Sequence, residues 1–387
     1  MGQEQNFRKK IAMLLLPTVV AVMNILIMVY PRESLAAAQS GLALWAGSVL
    51  PGALPFVIGA NILMSLGAVN FLGTALEPLM KWAFKMPGAA GFALAIGLVS
   101  GYPIGAKIVC EMRLRGELSR PQAQRLISFA NNAGPLFILG AVAAGMFSSR
   151  ALGYFLLAVH YGGALAVGLL MRLFSSKDNG KENFNSQFPL HIRAVRAMEA
   201  ARRKDAQSFG QIFGQSVSKA VETMLLIGGF IVLFSVVSTI LQLTGAFNLL
   251  PFPQDLQNGF FAGMIEMTGG VGILSRQGIS RGVVALTSGL LGFGGASILF
   301  QSINFIGKTD INASLFVVAK AAHGLFSAIL AALSYPLFAG FLKNEVVNTY
   351  APSAATKLVH SSAFFAMAII ALLALSIAII LYKTLKK

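Results

Sequence analysis

Ser100-Gly101-Tyr102-Pro103-Ile104-Gly105-Ala106-Lys107 interrupts an apolar run with two glycines, a proline and a lysine. A second interruption, Gly292-Phe293-Gly294-Gly295-Ala296-Ser297, lies in the other half of the chain. Each follows about a dozen apolar residues, so the sequence predicts that the backbone breaks at membrane depth. In hydrocarbon every backbone polar group needs a partner, and non-helical backbone survives there only where it is buried in protein or lines a cavity. Two breaks in corresponding halves point to the binding site of a transporter.

The remainder of the chain fits a membrane setting. Of 387 residues, 56% are hydrophobic and 11% charged, with a mean hydropathy of +0.73, whereas soluble domains carry roughly 25% charged residues. The net charge of +16 sits mostly in loops and tails. That distribution follows the positive-inside rule and lacks the soluble basic face with interleaved aromatics that nucleic-acid binding requires. One cysteine, Cys110, excludes an internal disulfide and offers no cysteine cluster for a metal. Neither His-Glu-x-x-His nor Gly-x-x-x-x-Gly-Lys-Ser/Thr occurs, which removes that class of zinc protease and ATP-driven pumping. No nucleophile and base form a catalytic constellation, so the expectation is a non-enzyme without cofactor or metal.

Arg8, Lys9 and Lys10 precede an apolar run from Ile11 to Tyr30. This run is long for a signal-peptide core and adequate for a spanning helix of about 20 residues, so it is read as the first transmembrane helix. Further spans are predicted at Leu42 to Leu66, Leu126 to Phe147, Ala151 to Phe174, Val217 to Leu243, Ile311 to Leu337 and Ser361 to Tyr382. Phe71 to Lys85, with Glu77, Lys81, Trp82 and Lys85, suits the headgroup level. A broken segment covers Gly282 to Ile303, and Gly259 to Leu274 is left open between crossing and not crossing. Ser175 to Gly210 is polar and basic and reads as a cytoplasmic linker.

If Gly88 to Val109 crossed fully, the loop of Arg113, Arg115, Arg120 and Arg125 and the basic linker would both lie outside. A re-entrant hairpin places both inside. Internal similarity supports two halves: Asn132 to Ser148 matches Asn312 to Ser327 with one gap, aligning Lys320 with Ala141, and Gly67 to Leu72 matches Gly245 to Leu250. The predicted architecture is an all-α polytopic membrane protein of two inverted repeats, each with a re-entrant or broken helical hairpin. It comprises an N-terminal helix and connector (1–40), a first repeat (41–174), the linker (175–210) and a second repeat with a C-terminal helix (211–387). This count puts Lys383, Lys386 and Lys387 outside unless Gly259 to Leu274 also crosses.

At SGYPIGAK, at Asn131 to Phe147 and at GFGGASILFQS the chain resembles the sporulation integral membrane protein family YlbJ, also called SpoVV. That family carries the nucleoside recognition or Gate domain, related in architecture to concentrative nucleoside transporters. The resemblance runs from about Gly41 to Leu337, although Ile298 to Phe300 is apolar where a more polar continuation is expected. It implies export of dipicolinate from the mother cell toward the forespore, through the outer forespore membrane. The broader superfamily includes nucleoside or nucleobase permeases, and a membrane scaffold of spore-envelope assembly is the non-transporting alternative.

A small organic anion needs cationic groups, hydrogen-bond donors and helix N-termini. The candidate substrate residues around the first break are Ser100, Gly101, Tyr102, Pro103, Gly105 and Lys107. Around the second they are Gly292, Gly294, Gly295, Ser297 and Gln301. The same glycines also permit close helix packing, and Lys107 also suits snorkelling to the interface. Asn131, Asn132 and Asn312 contact substrate or cap helices. Lys320 and His323 share one helix face inside an apolar span, where ionisable groups are costly and face a cavity or a partner. Glu266, with Thr268, is the candidate for a coupling ion, H+ or Na+, or for pairing with Lys320. The expected partners are thus the anion, the bilayer and that ion; homo-oligomerisation stays open.

Overall fold

In a computed structural model the described residues are 2–174, 190–204, 207–247 and 253–344. The predicted helix Ser361 to Tyr382, the tail lysines and the first part of the linker lie outside them. Among the described residues every regular element is helical, and the protein is an all-α polytopic membrane protein. Four helical stretches are long and apolar enough to cross a bilayer, or up to six if each bent pair counts as one.

α1 (Gly2–Val29) bends by 103° into α2 (Pro31–Leu44). α2 runs through a π-helical turn, Trp45–Val49, into α3 (Leu50–Ser65). The left-handed Gly67 then turns the chain by 87° into α4 (Ala68–Leu79), continued by the π turn Met80–Phe84. α4 is the predicted amphipathic arm. It buries Leu72, Leu76 and Leu79 and leaves Trp82 exposed, while Glu77 pairs with Lys81 and, at 3.0 Å, with Arg193. Arg193 belongs to α9 (Leu190–Lys204), so part of the basic linker is a helix docked on α4.

α5 (Ala90–Ser100) and α6 (Ile104–Leu114) form the predicted hairpin. Gly88 and Ala89 before α5 and Glu117 after α6 line one pocket of about 220 Å³, so both ends of the hairpin lie at one end of the bundle. Next comes α7 (Arg120–Ala130), opened by a capping box between Ser119 and Gln122. The continuous span predicted for Leu126 to Phe147 is not there. The chain leaves the helix at Asn131, crosses Asn132-Ala133-Gly134 without helical structure, regains helical conformation at Pro135 and continues as a π-helical segment, Leu136–Met146. Pro135 disfavours the α conformation at Gly134 and supplies no N–H, and buried side chains take over the freed backbone groups.

α8 (Arg150–Arg172) starts at Ser149, whose hydroxyl accepts from Leu152 N. α10 (Phe209–Leu243) is longer than predicted, beginning at a Ser208–Gln211 capping box. The open question at Gly259 to Leu274 resolves into a second hairpin. α11 (Gln254–Ile265) and α12 (Met267–Ser275) fold back at Glu266, with Gly259, Gly263 and Gly270 in the contact between the arms. α13 (Arg281–Phe293) and α14 (Gly295–Ile306) are one span broken at left-handed Gly294 (φ +91°), a backbone state that glycine adopts without penalty. α15 (Ala313–Asn344) follows.

Contacts fix the directions. Gln124 of α7 exchanges two hydrogen bonds with the backbone of Asn312, ahead of α15. At the far end of α15, Tyr335 Oη donates to Ile279 O and Arg281 Nε to Ala332 O. α8 and α15 run antiparallel, with Phe155 against Phe338 and His160 against His323. The two hairpins therefore enter from opposite ends. Lys81, Lys85, Arg113, Arg115, Arg125, Arg172 and Arg193 cluster at the first end, and Arg150, Arg276 and Arg281 lie at the other.

Candidate functional site

The non-helical backbone converges on one place. The first hairpin tip, Gly101-Tyr102-Pro103, packs on the α7 break, where a Cβ at Gly101 would lie 2.8 Å from Gly134 N. Gly101 itself has φ +81° and ψ 178°, a combination essentially confined to glycine. The second tip packs on the α13–α14 break in the same manner: a Cβ at Gly295 would lie 2.7 Å from Gly263 O and 3.2 Å from Met267 N. The tips meet where Tyr102 Oη reaches Met267 Sδ at 2.7 Å. This centre is also the seam between two apolar cores. Ala130 and Ala319 belong to one, which includes Phe92 and Phe129, while Ala133 and Ala331 belong to the other, which includes Leu156 and Leu291.

Polar groups fill the seam. Asn131 Oδ1 accepts from Ala106 N (3.3 Å), and its amide donates to Ser302 Oγ of α14 (3.0 Å). Asn132 donates to Phe129 O. Lys320 Nζ donates to Asn131 O (2.8 Å) and lies 3.0 Å from His323 Nδ1. His323 Nε2 lies 2.9 Å from the carbonyl of His160, and His160 Nε2 accepts from Ala133 N at 2.9 Å. Asn131, Asn132, His160, Lys320 and His323 are all fully buried.

Among the described residues no carboxylate forms an ion pair with Lys320. Glu266 is not its partner: Oε1 accepts from Thr268 N (3.0 Å) and Oε2 from Gly269 N (2.7 Å), so the carboxylate caps α12. Lys320 Nζ is thus held by a carbonyl and an imidazole, with no counter-charge among the described residues. Asn132 Oδ1, His160 Nδ1, Thr287 Oγ1 and Ser327 Oγ are also buried without a hydrogen-bond partner among the described residues.

The other sequence candidates divide. Ser297 Oγ accepts from Gln301 within α14, both buried. Gly105 packs on the Ala130 carbonyl, and Gly292 on Gly324. Ser100 ends α5. Lys107 is directed to α10, donating to Thr223 Oγ1 (3.1 Å) with Glu111 at 3.7 Å. Asn312 is exposed and caps α15, accepting from Leu315 N. His160, Ser302 and Ser327 complete the seam without having been singled out. His160 carries the signal that marked His323, an ionisable group inside an apolar span.

The sequence match that set Asn132–Ser148 against Asn312–Ser327 joins a segment after a break to an unbroken span. In element order α8 and α15 each follow a hairpin and a broken helix; counted from the helix caps Ser149 and Asn312, Leu152 and Leu315, His160 and His323, and Leu157 and Lys320 fall at the same positions.

No family profile matches the chain, and no solved structure matches it. It is 37% identical over 344 residues to the sporulation integral membrane protein YlbJ of Bacillus subtilis (strain 168), covering 85% of this chain and 84% of that protein. Identity at this level across nearly the whole length places the chain in the YlbJ family of sporulation integral membrane proteins.

Proposed function

We propose that the chain is a carrier, not an enzyme, that moves a small organic anion across the membrane, with dipicolinate passing from the mother cell toward the forespore as the first reading. The observation that carries it is Lys320: a fully buried lysine with no carboxylate partner among the described residues, bonded to the Asn131 carbonyl at which the α7 break begins. A fixed anion there would neutralise the site permanently, whereas a cargo anion supplies the charge only when bound. Hairpin, broken helix and span follow one another in both halves, from opposite ends, which supports two inverted copies of one unit. The basic end is assigned to the cytoplasm by the positive-inside rule, in the bacterial cytoplasmic membrane or, during sporulation, the outer forespore membrane.

Purified protein in liposomes is expected to move radiolabelled dipicolinate, with competition by other pyridine carboxylates. Uridine flux without dipicolinate flux assigns it instead to the nucleoside permeases. Flux of neither leaves a membrane scaffold.

A further inference from the structure

α2 and α10 run antiparallel and pack through small residues. A Cβ at Gly228 would lie 2.7 Å from the Trp45 ring, whose Nε1 donates to Met224 O at 2.9 Å. Farther along α10, Gly41 is seated on Val232 and Ser235. Ala37 then joins Val236 and Ile240 in a small apolar cluster, on which Met23, Leu26 and Ile27 of α1 lean. On the neighbouring flank of α10 the contact stops: a Cβ at Gly229 would meet nothing within 4 Å among the described residues. What remains is a groove of about 880 Å³ between α1, α2 and α10, lined by Gly229 and bordered by the exposed side chains of Leu35, Leu42, Leu225 and Leu233.

The groove lies at hydrocarbon depth. Met224 to Leu243 is a charge-free run of about the 20 residues that cross a bilayer core, and the groove follows it from Leu225 to Val236. The first turn of α2 stands beside the last turns of this run, at the membrane face away from the basic end. Two polar side chains belong to the lining, Trp45 and Ser34. The Trp45 indole is committed to Met224 O. Ser34 is 5% exposed, and its Oγ has no hydrogen-bond partner among the described residues. It sits in the opening turn of α2, which starts at Pro31 and where free backbone N–H groups add partial positive charge. Arg32 and Glu33 are exposed on the same turn.

We propose that this groove is a phospholipid site: one acyl chain lies along α10 over Gly229, and a glycerol-ester or phosphate oxygen accepts from Ser34 Oγ, while Arg32 and Glu33 offer both signs of charge to a zwitterionic headgroup. The surrounding medium supplies acyl chains at this depth. The hydroxyl, the helix N-terminus and the charges stand at the end of the groove where such a chain meets its headgroup. A lodged lipid would also fasten α1 and α2 to α10, because its chain touches all three.

The test is native mass spectrometry of the full-length protein released from detergent, after washing and after addition of phosphatidylethanolamine, with gel filtration in parallel. Wild type is expected to retain one phospholipid. Gly229→Phe fills the groove from a position with room for a side chain and is expected to cut occupancy at least tenfold with the gel-filtration peak unchanged. Gly214→Phe, on the same helix, equally open and outside the groove, is expected to keep the lipid. Ser34→Ala is expected to lose roughly fivefold, the factor for one hydrogen bond of ordinary strength. Should Gly229→Phe fail to fold, a Trp82→Phe variant leaves Trp45 as the one tryptophan of the chain. Phosphatidylethanolamine brominated along its acyl chain should then quench Trp45 fluorescence saturably at low mole fraction. Equal lipid retention by wild type and Gly229→Phe, or quenching that rises only in proportion to the brominated fraction, overturns the site. A wild-type dimer that Gly229→Phe converts to a monomer assigns the groove to a second copy of the chain and overturns it as well.

Discussion

Glu266 and Lys320 are both ionisable groups buried at the centre, and the protein treats them in opposite ways. Glu266 ends one hairpin arm and starts the next, and each carboxylate oxygen receives a backbone N–H from the first turn of α12. The helix N-terminus supplies partial positive charge at the same point, so the acid is neutralised by the element that presents it. Lys320 lies mid-helix, where α15 has no terminal dipole to offer, and its two acceptors, Asn131 O and His323 Nδ1, are neutral. A charge satisfied by its own helix is architecture. A charge satisfied only in hydrogen-bond count remains free to meet a mobile ion.

The glycine seams beneath this arrangement give the largest expected effect. A Cβ on Gly97 or Gly105 would fall on the Ala130 carbonyl oxygen, which is backbone and cannot rotate away. Overpacking ordinarily costs about 1–3 kcal/mol, and here nothing flexible absorbs it. Gly105→Ala is expected to abolish the monodisperse peak in detergent gel filtration. Gly272→Ala, which meets nothing within 4 Å, is expected to leave that peak unchanged. Equal tolerance at both sites would mean that the first hairpin does not pack on α7 as described.

The contrast between the two ionisable groups sharpens with a double-mutant cycle. Lys320→Ala removes a mid-helix charge whose insertion cost is about 2.5–3.5 kcal/mol, so thermal stability is expected to hold or rise slightly while dipicolinate flux is lost. Lys320→Arg keeps the charge with altered geometry, and weak binding is expected to survive. Glu266→Gln removes half of the cap and is expected to cost about 1 kcal/mol. Because the two side chains make no ion pair, their effects on stability should add to within about 0.5 kcal/mol. A coupling well above that, with flux restored in the double variant, would return Lys320 to a structural role.

The division between architecture and site also explains what was legible in the sequence. The Gly101–Pro103 and Gly294 breaks announce themselves, because glycine and proline interrupt apolar runs that otherwise have no reason to stop. The α7 break was hidden although Gly134-Pro135 is a turn-forming pair, since the apolar residues on either side carry the helical pattern across it. The second hairpin turns on Glu266 without proline, and a lone acid in an apolar stretch reads equally well as a headgroup contact. Its capping role appears only when Thr268 N and Gly269 N come into place. Lys320 and His323 were visible as charge in the wrong medium. His160 carried the same mark, but its importance depends on Ala133 and His323, which only the antiparallel packing of α8 and α15 brings to it.

The smallest effect belongs to an ion pair that joins the halves outside the buried seam. Arg113, at the end of α6, holds Asp310 with Nε to Oδ1 at 2.9 Å and Nη2 to Oδ2 at 2.8 Å, and this hydrogen bonding holds the Asp310 carboxyl below its ordinary range. The pair is open to solvent, and exposed pairs contribute little and are screened by salt. The sign is set by the depressed value: the ionised carboxylate is favoured in the fold, so its stabilisation is complete above the unfolded-state pKa of about 4 and disappears as pH falls through the lower folded-state value. Asp310→Asn is therefore expected to lower the unfolding temperature slightly and by a constant amount from pH 7 to about pH 5, with the gap from wild type closing at more acid pH and in high salt. Dipicolinate flux should not change, because the pair touches neither hairpin tip nor helix break. A gap that widens toward acid pH would show that Asp310 is stabilised in its protonated form, and a loss of flux would make this outer clasp part of the moving apparatus, in which case charge outside the seam would matter as much as Lys320 within it.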